Sequence, residues 1–227
     1  MNEILFCLIL GFVLDIIFIV EYYRNHYTSL LVFKTVSSAV FVVLGILLTL
    51  QFKNTLLSWL VVCGLICGIL GDFFLDAGPV IKRIEKNAFM FGFGAFFVGH
   101  LFYIARTMNL LVKNQKGIWI AIILAVTFVA GSIVIKLMFK ICRPTDDILK
   151  VGIAYLLTLD YSCLLAWTLL STASGSLCLA FGTTLFAVSD HMLVADYFGF
   201  KKVNWLHGVL LILYYMAQCL IALSIIY

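Results

Sequence analysis

The chain has little charge. Fifteen Lys and Arg and eleven Asp and Glu make up 11% of its 227 residues, less than half the roughly 25% of a soluble domain. With 64% hydrophobic residues beside them, the polar side chains are too few to cover a globule in water. That excludes a soluble enzyme, and the formal net charge of +4 describes loops, not a nucleic-acid surface. Proline is nearly absent: Pro79 and Pro144 both fall between apolar runs. No disulfide framework is legible either. The cysteines number seven, and most lie in apolar stretches where a free thiol behaves as a small hydrophobe. Cys63 and Cys67, four apart, match neither a redox pair nor a zinc-ligand spacing. At the start, Met1, Asn2 and Glu3 lack a basic segment and the run Ile4–Val20 lacks a small-residue cleavage site, so it reads as a first span and not as a cleaved signal.

What the chain does have is eight long apolar runs: Ile4–Val20, Leu30–Leu50, Thr55–Leu75, Ala88–Thr107, Ile118–Leu137, Ile148–Leu170, Ser174–Ala195 and Asn204–Ile226. A spanning helix takes about 20 residues, so eight spans and short loops use the whole length. Barrel strands alternate over about ten residues, which these continuous runs do not. The expected fold is all-α, a polytopic integral membrane protein built as one bundle of eight transmembrane helices over residues 1–227. Loops after the odd-numbered helices hold ten basic residues (Arg24, Lys82, Arg83, Lys86, Lys136, Lys140, Arg143, Lys150, Lys201, Lys202), the opposite loops four (Lys53, Arg106, Lys113, Lys116). The positive-inside bias puts the odd loops in the cytoplasm and both termini outside. Trp59, Trp119, Trp167 and Trp205 lie toward span ends, as an interfacial belt requires.

An ionisable side chain within a span costs about 2.5 to 3.5 kcal/mol on insertion scales and is a functional candidate by default. Asp15, Lys34, Asp72, His100, Asp160, Asp190 and His207 fall within the runs, with Asp76, His191, Asp196 and Asn204 at or near their ends. The topology sends Asp15, Lys34, Asp72, Asp190 and His207 to the cytoplasmic half. His100 and Asp160 lie about 18 Å above that side, near the midplane. Asp72 continues a small-residue stripe through Gly64 and Gly68, so its carboxylate should face protein. Asp190 shares a face with Gly182, Thr183 and Phe186, Lys34 with Ser37, Ser38 and Gly45, and His207 with Tyr214 and Gln218. Structural roles compete with these. Asp72 could serve only as an ion-pair partner of Lys34, His100 as a hydrogen-bonded core histidine, Asp15 as a structural acid, and Asp76 and Asp196 as interfacial charges. The aromatic run Phe91, Phe93, Phe96 and Phe97 reads as packing.

Four segments in register carry a resemblance. Gly71-Asp72 closes the third run, Gly94-Ala-Phe-Phe-Val-Gly-His100-Leu-Phe-Tyr103 lies in the fourth, Gly182-Thr-Thr-Leu-Phe186-Ala-Val-Ser189-Asp190 in the seventh and Tyr214-Tyr215-Met-Ala217-Gln218 in the eighth. Together they resemble the YhhN family, which includes lysoplasmalogenases of the TMEM86 type. The resemblance implies an eight-helix membrane protein that hydrolyses the vinyl ether of lysoplasmalogens to a fatty aldehyde and a glycerophospho-base. It implies Asp72 and Asp190 as the catalytic acids, a lysophospholipid and membrane lipids as partners, and no cofactor, metal or nucleic acid. The chain departs from the family in Thr35, where a proline is expected after Lys34, and in Asp160, which matches no family position.

The chemistry suits these residue types. Protonation of the vinyl ether at its β-carbon makes an oxocarbenium ion, water attacks the α-carbon, and the hemiacetal collapses to aldehyde and alcohol. One carboxylic acid can give the proton while a second stabilises the cation and orients water, as in glycosidases. His100, Tyr103, Ser189, His191, His207, Tyr214 and Gln218 would hydrogen-bond substrate or water, and Lys34 would meet the phosphate. Two other readings stand beside this one. His100, His191 and His207 with Asp72 or Asp190 could hold zinc in a metal-dependent lipid hydrolase. The same acids could also relay protons in a transporter, or line a lipid-binding protein.

Overall fold

A computed structural model describes all residues except 1, 25–26, 53, 143–145, 173–175, 201–202, 204 and 227. Lys53, Arg143, Pro144, Lys201, Lys202 and Asn204 therefore lie outside the described residues. The rest form α1 (Asn2–Arg24), α2 (Tyr27–Phe52), α3 (Leu56–Ala77), α4 (Glu85–Lys113), α5 (Ile118–Met138), α6 (Asp146–Leu169), α7 (Leu177–Phe198) and α8 (Leu206–Leu223), with a final 3-10 turn at Ser224–Ile226. All eight helices are long and apolar enough to cross a membrane, and the chain is a multi-pass membrane protein. Helices are what such a sequence must form in hydrocarbon, where each backbone N–H and C=O has to be satisfied within its own segment. Polar residues in the spans follow the same rule. Thr55 and Ser176 cap α3 and α7 by accepting from Ser58 N and Leu179 N. The hydroxyls of Thr127, Thr158 and Thr168 donate back to carbonyls four residues earlier, each at 2.8 Å.

Six helices close a ring in the order α2, α3, α4, α6, α7, α8 and back to α2, with α1 lying against α2 and α8 and α5 against α6. In α1 and α5 only 17% of the span is buried, against 39–56% in the other six. The ring closes tightly because of its glycines. A Cβ on Gly64 would lie 2.1 Å from the Tyr103 ring of α4, and one on Gly71 2.6 Å from Phe96. Gly99 of α4 returns the approach, its Cβ position lying 3.1 Å from the Gly64 carbonyl oxygen. Gly182 of α7 does the same against Ile221 of α8. The small-residue stripe below Asp72 is thus the face that lets α4 and α8 come close.

Arg106 differs from its reading as a loop charge. It sits within α4, 5% exposed, and its guanidinium donates to the Ser224 carbonyl at 2.9 Å. That carbonyl lies where α8 gives way to the final turn, and a cation is the group that suits a helix C-terminus. The helix continues to Lys113, six residues past the expected boundary at Thr107. The tryptophans do lie at the ends: Trp59 and Trp119 open α3 and α5 and Trp167 closes α6 on one side, while Trp205 precedes α8 on the other.

Candidate active site

The polar groups gather at the end of the ring where α3 and α7 finish and α2, α6 and α8 begin. Asp72 lies five residues before the end of α3 and Asp190 eight before the end of α7, so both carboxyl groups lie roughly 8 to 12 Å inside the bundle. Asp72 is 1% exposed and Asp190 4%.

Each acid is held by a different set of helices. The Asp72 carboxylate accepts from the Ser38 hydroxyl of α2 and from the Tyr214 hydroxyl of α8 at 2.6 Å, and the Gln218 amide donates to that same Tyr214 oxygen at 2.7 Å. Lys34 places its ammonium 3.7 Å from Asp72 and 3.3 Å from Asp76, and 5.9 Å from the centre of the Phe18 ring. The Asp190 carboxylate accepts from the Tyr155 hydroxyl of α6, with Ser189 Oγ at 3.2 Å. Among the described residues no lysine or arginine pairs with Asp190. The two buried acids thus differ: Asp72 shares a cation besides its hydroxyl partners, and Asp190 has hydroxyl partners without one among the described residues.

Lys34, Asp72, Ser189, Asp190, His207 and Tyr214 line one cavity of about 20 Å³ with Phe96 and Tyr197 on its walls, room for a single water. It adjoins a wider space of about 230 Å³ nearer the membrane surface, with which it shares Leu75, Tyr197 and His207. Asp76, Asp196, Tyr22 and Pro79 line that vestibule. His207 is fixed there by the Asp196 carboxylate, 2.8 Å from its Nδ1, and by stacking on Tyr22 with ring centroids 3.8 Å apart.

Of the residues singled out in the sequence, six therefore meet at the cavity and Gln218 reaches it through Tyr214. His100, Tyr103 and His191 do not. His100 and Tyr103 border a deeper void walled by Gly64, Gly68 and Gly99. His100 is 1% exposed, and among the described residues neither ring nitrogen has a hydrogen-bond partner. It packs edge-on against Tyr103 and Phe186 instead, which departs from the expectation of a hydrogen-bonded core histidine. His191 turns its Nδ1 to the Ala187 carbonyl of its own helix, 2.7 Å away, and its Nε2 toward Asp160 at 3.8 Å. Among the described residues no three His, Cys, Asp or Glu side chains converge as ligands for a metal, so the zinc arrangement of His100, His191 and His207 is not assembled.

Sequence reasoning left Asp76 and Asp196 at the interface and passed over Tyr155. Asp76 and Asp196 do sit partly exposed, yet each is the closer carboxylate partner of a site cation or imidazole. Asp76 falls one helical turn after Asp72, a spacing that was available as a signal. Tyr155 carries no such signal, because only a neighbouring helix supplies the partner its buried hydroxyl needs.

A ring of membrane helices that closes on two buried carboxyl groups, each held by hydroxyl donors from neighbouring helices, defines a polytopic membrane protein with an acid-lined site inside the bilayer. Within that class, the chain belongs to the YhhN family, whose sequence model matches residues 30–225, from early in α2 to the final turn. No curated protein and no solved structure matches it.

Proposed function

We propose that this protein is a lysoplasmalogenase, hydrolysing the vinyl ether of a lysoplasmalogen to a fatty aldehyde and a glycerophospho-base. The observation that carries the reading is the pairing of Asp72 and Asp190, from two helices, on one small buried cavity with unlike partners. Asp190, whose partners are hydroxyls, gives the proton to the β-carbon. Asp72, beside the Lys34 ammonium, is the carboxylate that faces the oxocarbenium ion and orients the water attacking the α-carbon. Charge develops where a fixed opposite charge already stands, which is the arrangement that lowers a barrier most in a low-dielectric site. As water adds to the α-carbon its proton returns to the Asp190 carboxylate, and the hemiacetal collapses by passing its hydroxyl proton to the glycerol oxygen as that C–O bond breaks, so one water is consumed for each aldehyde and alcohol formed. The phosphate of the headgroup lies in the vestibule within reach of Lys34 and His207. The excess of Lys and Arg in the loops at this end supports its lying on the cytoplasmic side of the membrane.

Purified protein in mixed micelles tests the proposal. A lysoplasmenylethanolamine should release aldehyde, while its 1-acyl and 1-alkyl counterparts should release nothing, since neither an ester nor a saturated ether forms the oxocarbenium ion by carbon protonation. Chelator should leave the rate unchanged. Release of fatty acid from the 1-acyl lipid, or loss of all activity on chelation, would overturn the carboxylic-acid mechanism.

A further inference from the structure

The site cavity cannot hold a lipid chain. At about 20 Å³ it has room for water, and the space beyond it toward His100 and Gln218 is narrower still. The vestibule is larger but is lined by two carboxylates, an imidazole and two phenols. One cavity differs from these. Between α1 and α8 runs an apolar groove of about 560 Å³, lined from α1 by Leu8, Asp15 and Ile19 and from α8 by Ile212, Met216 and Leu220. From Ile19, five residues before the end of α1, to Leu8 it extends eleven residues, or about 16 Å at 1.5 Å per residue. That is half of a hydrocarbon core about 30 Å thick, centred near the middle of α1.

The groove and the site share no lining residue, but two pairs of adjacent residues join their walls. Ser38 donates to Asp72 and its neighbour Ser37 to Asp15, while Tyr214 donates to Asp72 and its neighbour Tyr215 lines the groove. Tyr215 is 3% exposed, and among the described residues its buried hydroxyl has no hydrogen-bond partner. A buried phenol without a partner is costly, and its proton is a donor in want of an oxygen. An occupant with one long aliphatic chain ending in oxygen-bearing carbons satisfies both the apolar walls and the polar end.

We propose that the α1–α8 groove binds the single hydrocarbon chain of a lysophospholipid, which enters sideways from the membrane and carries its ether end past Asp15 and Tyr215 to the acids, with the glycerophosphate running on toward the vestibule. This rests on the lysoplasmalogenase reading for the identity of the lipid. It also gives α1 a purpose: lying outside the ring, the helix forms one wall of a lateral entrance.

The test uses the full chain in nanodiscs and a 1-O-alkyl lysophosphoethanolamine with a diazirine in its chain, which binds without being hydrolysed. Irradiation should label α1 and α8 peptides. Unlabelled lysoplasmenylethanolamine should compete and a diacyl phosphatidylethanolamine should not. Met216→Trp, which fills the groove, should weaken labelling about tenfold, the value of roughly two methylene groups kept from burial. Phe128→Trp on the lipid-facing side of α5 should leave labelling unchanged. Label spread evenly over α5 and the other lipid-facing helices, or equal competition by the diacyl lipid, would mean ordinary bilayer lipid and overturn the proposal. Aldehyde release with labels mapping away from the groove would remove the groove and leave the hydrolase. Labels in the groove without aldehyde release would do the reverse.

Discussion

Asp72 and Asp76 share one lysine, which allows a catalytic role for Asp72 to be separated from a merely structural one. The Lys34 ammonium is 3.7 Å from Asp72 and 3.3 Å from Asp76. In Asp72→Asn the lysine therefore keeps a carboxylate, and the cost of about 3–5 kcal/mol for a buried charge left alone does not arise. The amide oxygen can still accept from Ser38 and Tyr214, so the fold should lose no more than about 1–3 kcal/mol, the range for one poorly satisfied buried group. The chemistry should suffer far more. An asparagine offers neither a carboxylate nor a proton, and losing one acid–base group slows a reaction by about 10²- to 10⁴-fold, or about 3 to 5 kcal/mol of barrier. Asp76→Asn removes the closer ion-pair partner but a group that lines only the vestibule, and its effect should stay within about tenfold, the order of a partly solvated ion pair. Aldehyde release coupled to an aldehyde dehydrogenase measures both variants, with thermal unfolding followed by intrinsic fluorescence as the control for folding. Asp72→Asn turning over at near the parent rate would refute the reasoning. So would equal loss in both variants, which would show that the charge cluster matters and not the carboxyl group at the cavity.

Other outcomes follow from the same geometry. Asp190→Asn should abolish aldehyde release, and Tyr155→Phe should lower kcat by about 10- to 100-fold with KM little changed, the value of one hydrogen bond to a charged group; an unaltered kcat would remove Tyr155 as the residue that positions Asp190. Lys34→Met leaves Asp72 and Asp76 facing each other without a cation, so the unfolding temperature should fall sharply, by the equivalent of about 3–5 kcal/mol, and any remaining activity should show a raised KM. Gly64→Ala should destabilise the bundle by about 1–3 kcal/mol because its methyl would enter the Tyr103 ring, whereas Gly94→Ala, with nothing within 4 Å, should be neutral or slightly stabilising. Equal unfolding temperatures for these two glycine variants would contradict the close α3–α4 approach.

Hydropathy alone was enough to place the eight helices, because in hydrocarbon a long apolar run has only one way to satisfy its backbone. It was also enough to mark Lys34, Asp72, Asp190 and His207 as candidates of similar depth, since depth follows from counting residues along a helix of known rise and known direction. Even the Gly64–Gly68 stripe was legible as a close-packing face. The ends of the helices were less so. Scanning for apolar residues counted Arg106 with the loops, and only the arrival of the Ser224 carbonyl from another helix makes a buried guanidinium sensible there.

What the chain determined by itself, then, is that it crosses the membrane eight times and keeps a few ionisable groups at one end of the bundle. Lateral arrangement was left to the tertiary structure, because neither hydropathy nor helical period says which helix stands beside which. Ring closure put α6 next to α7 and so gave Asp190 the hydroxyl of Tyr155. It set His100 and His191 on separate surroundings, away from the cavity, though the same sequence reading had grouped them with His207. And it left α1 outside the ring, where Asp15, the least explained acid in the sequence, borders an apolar groove midway along the helix.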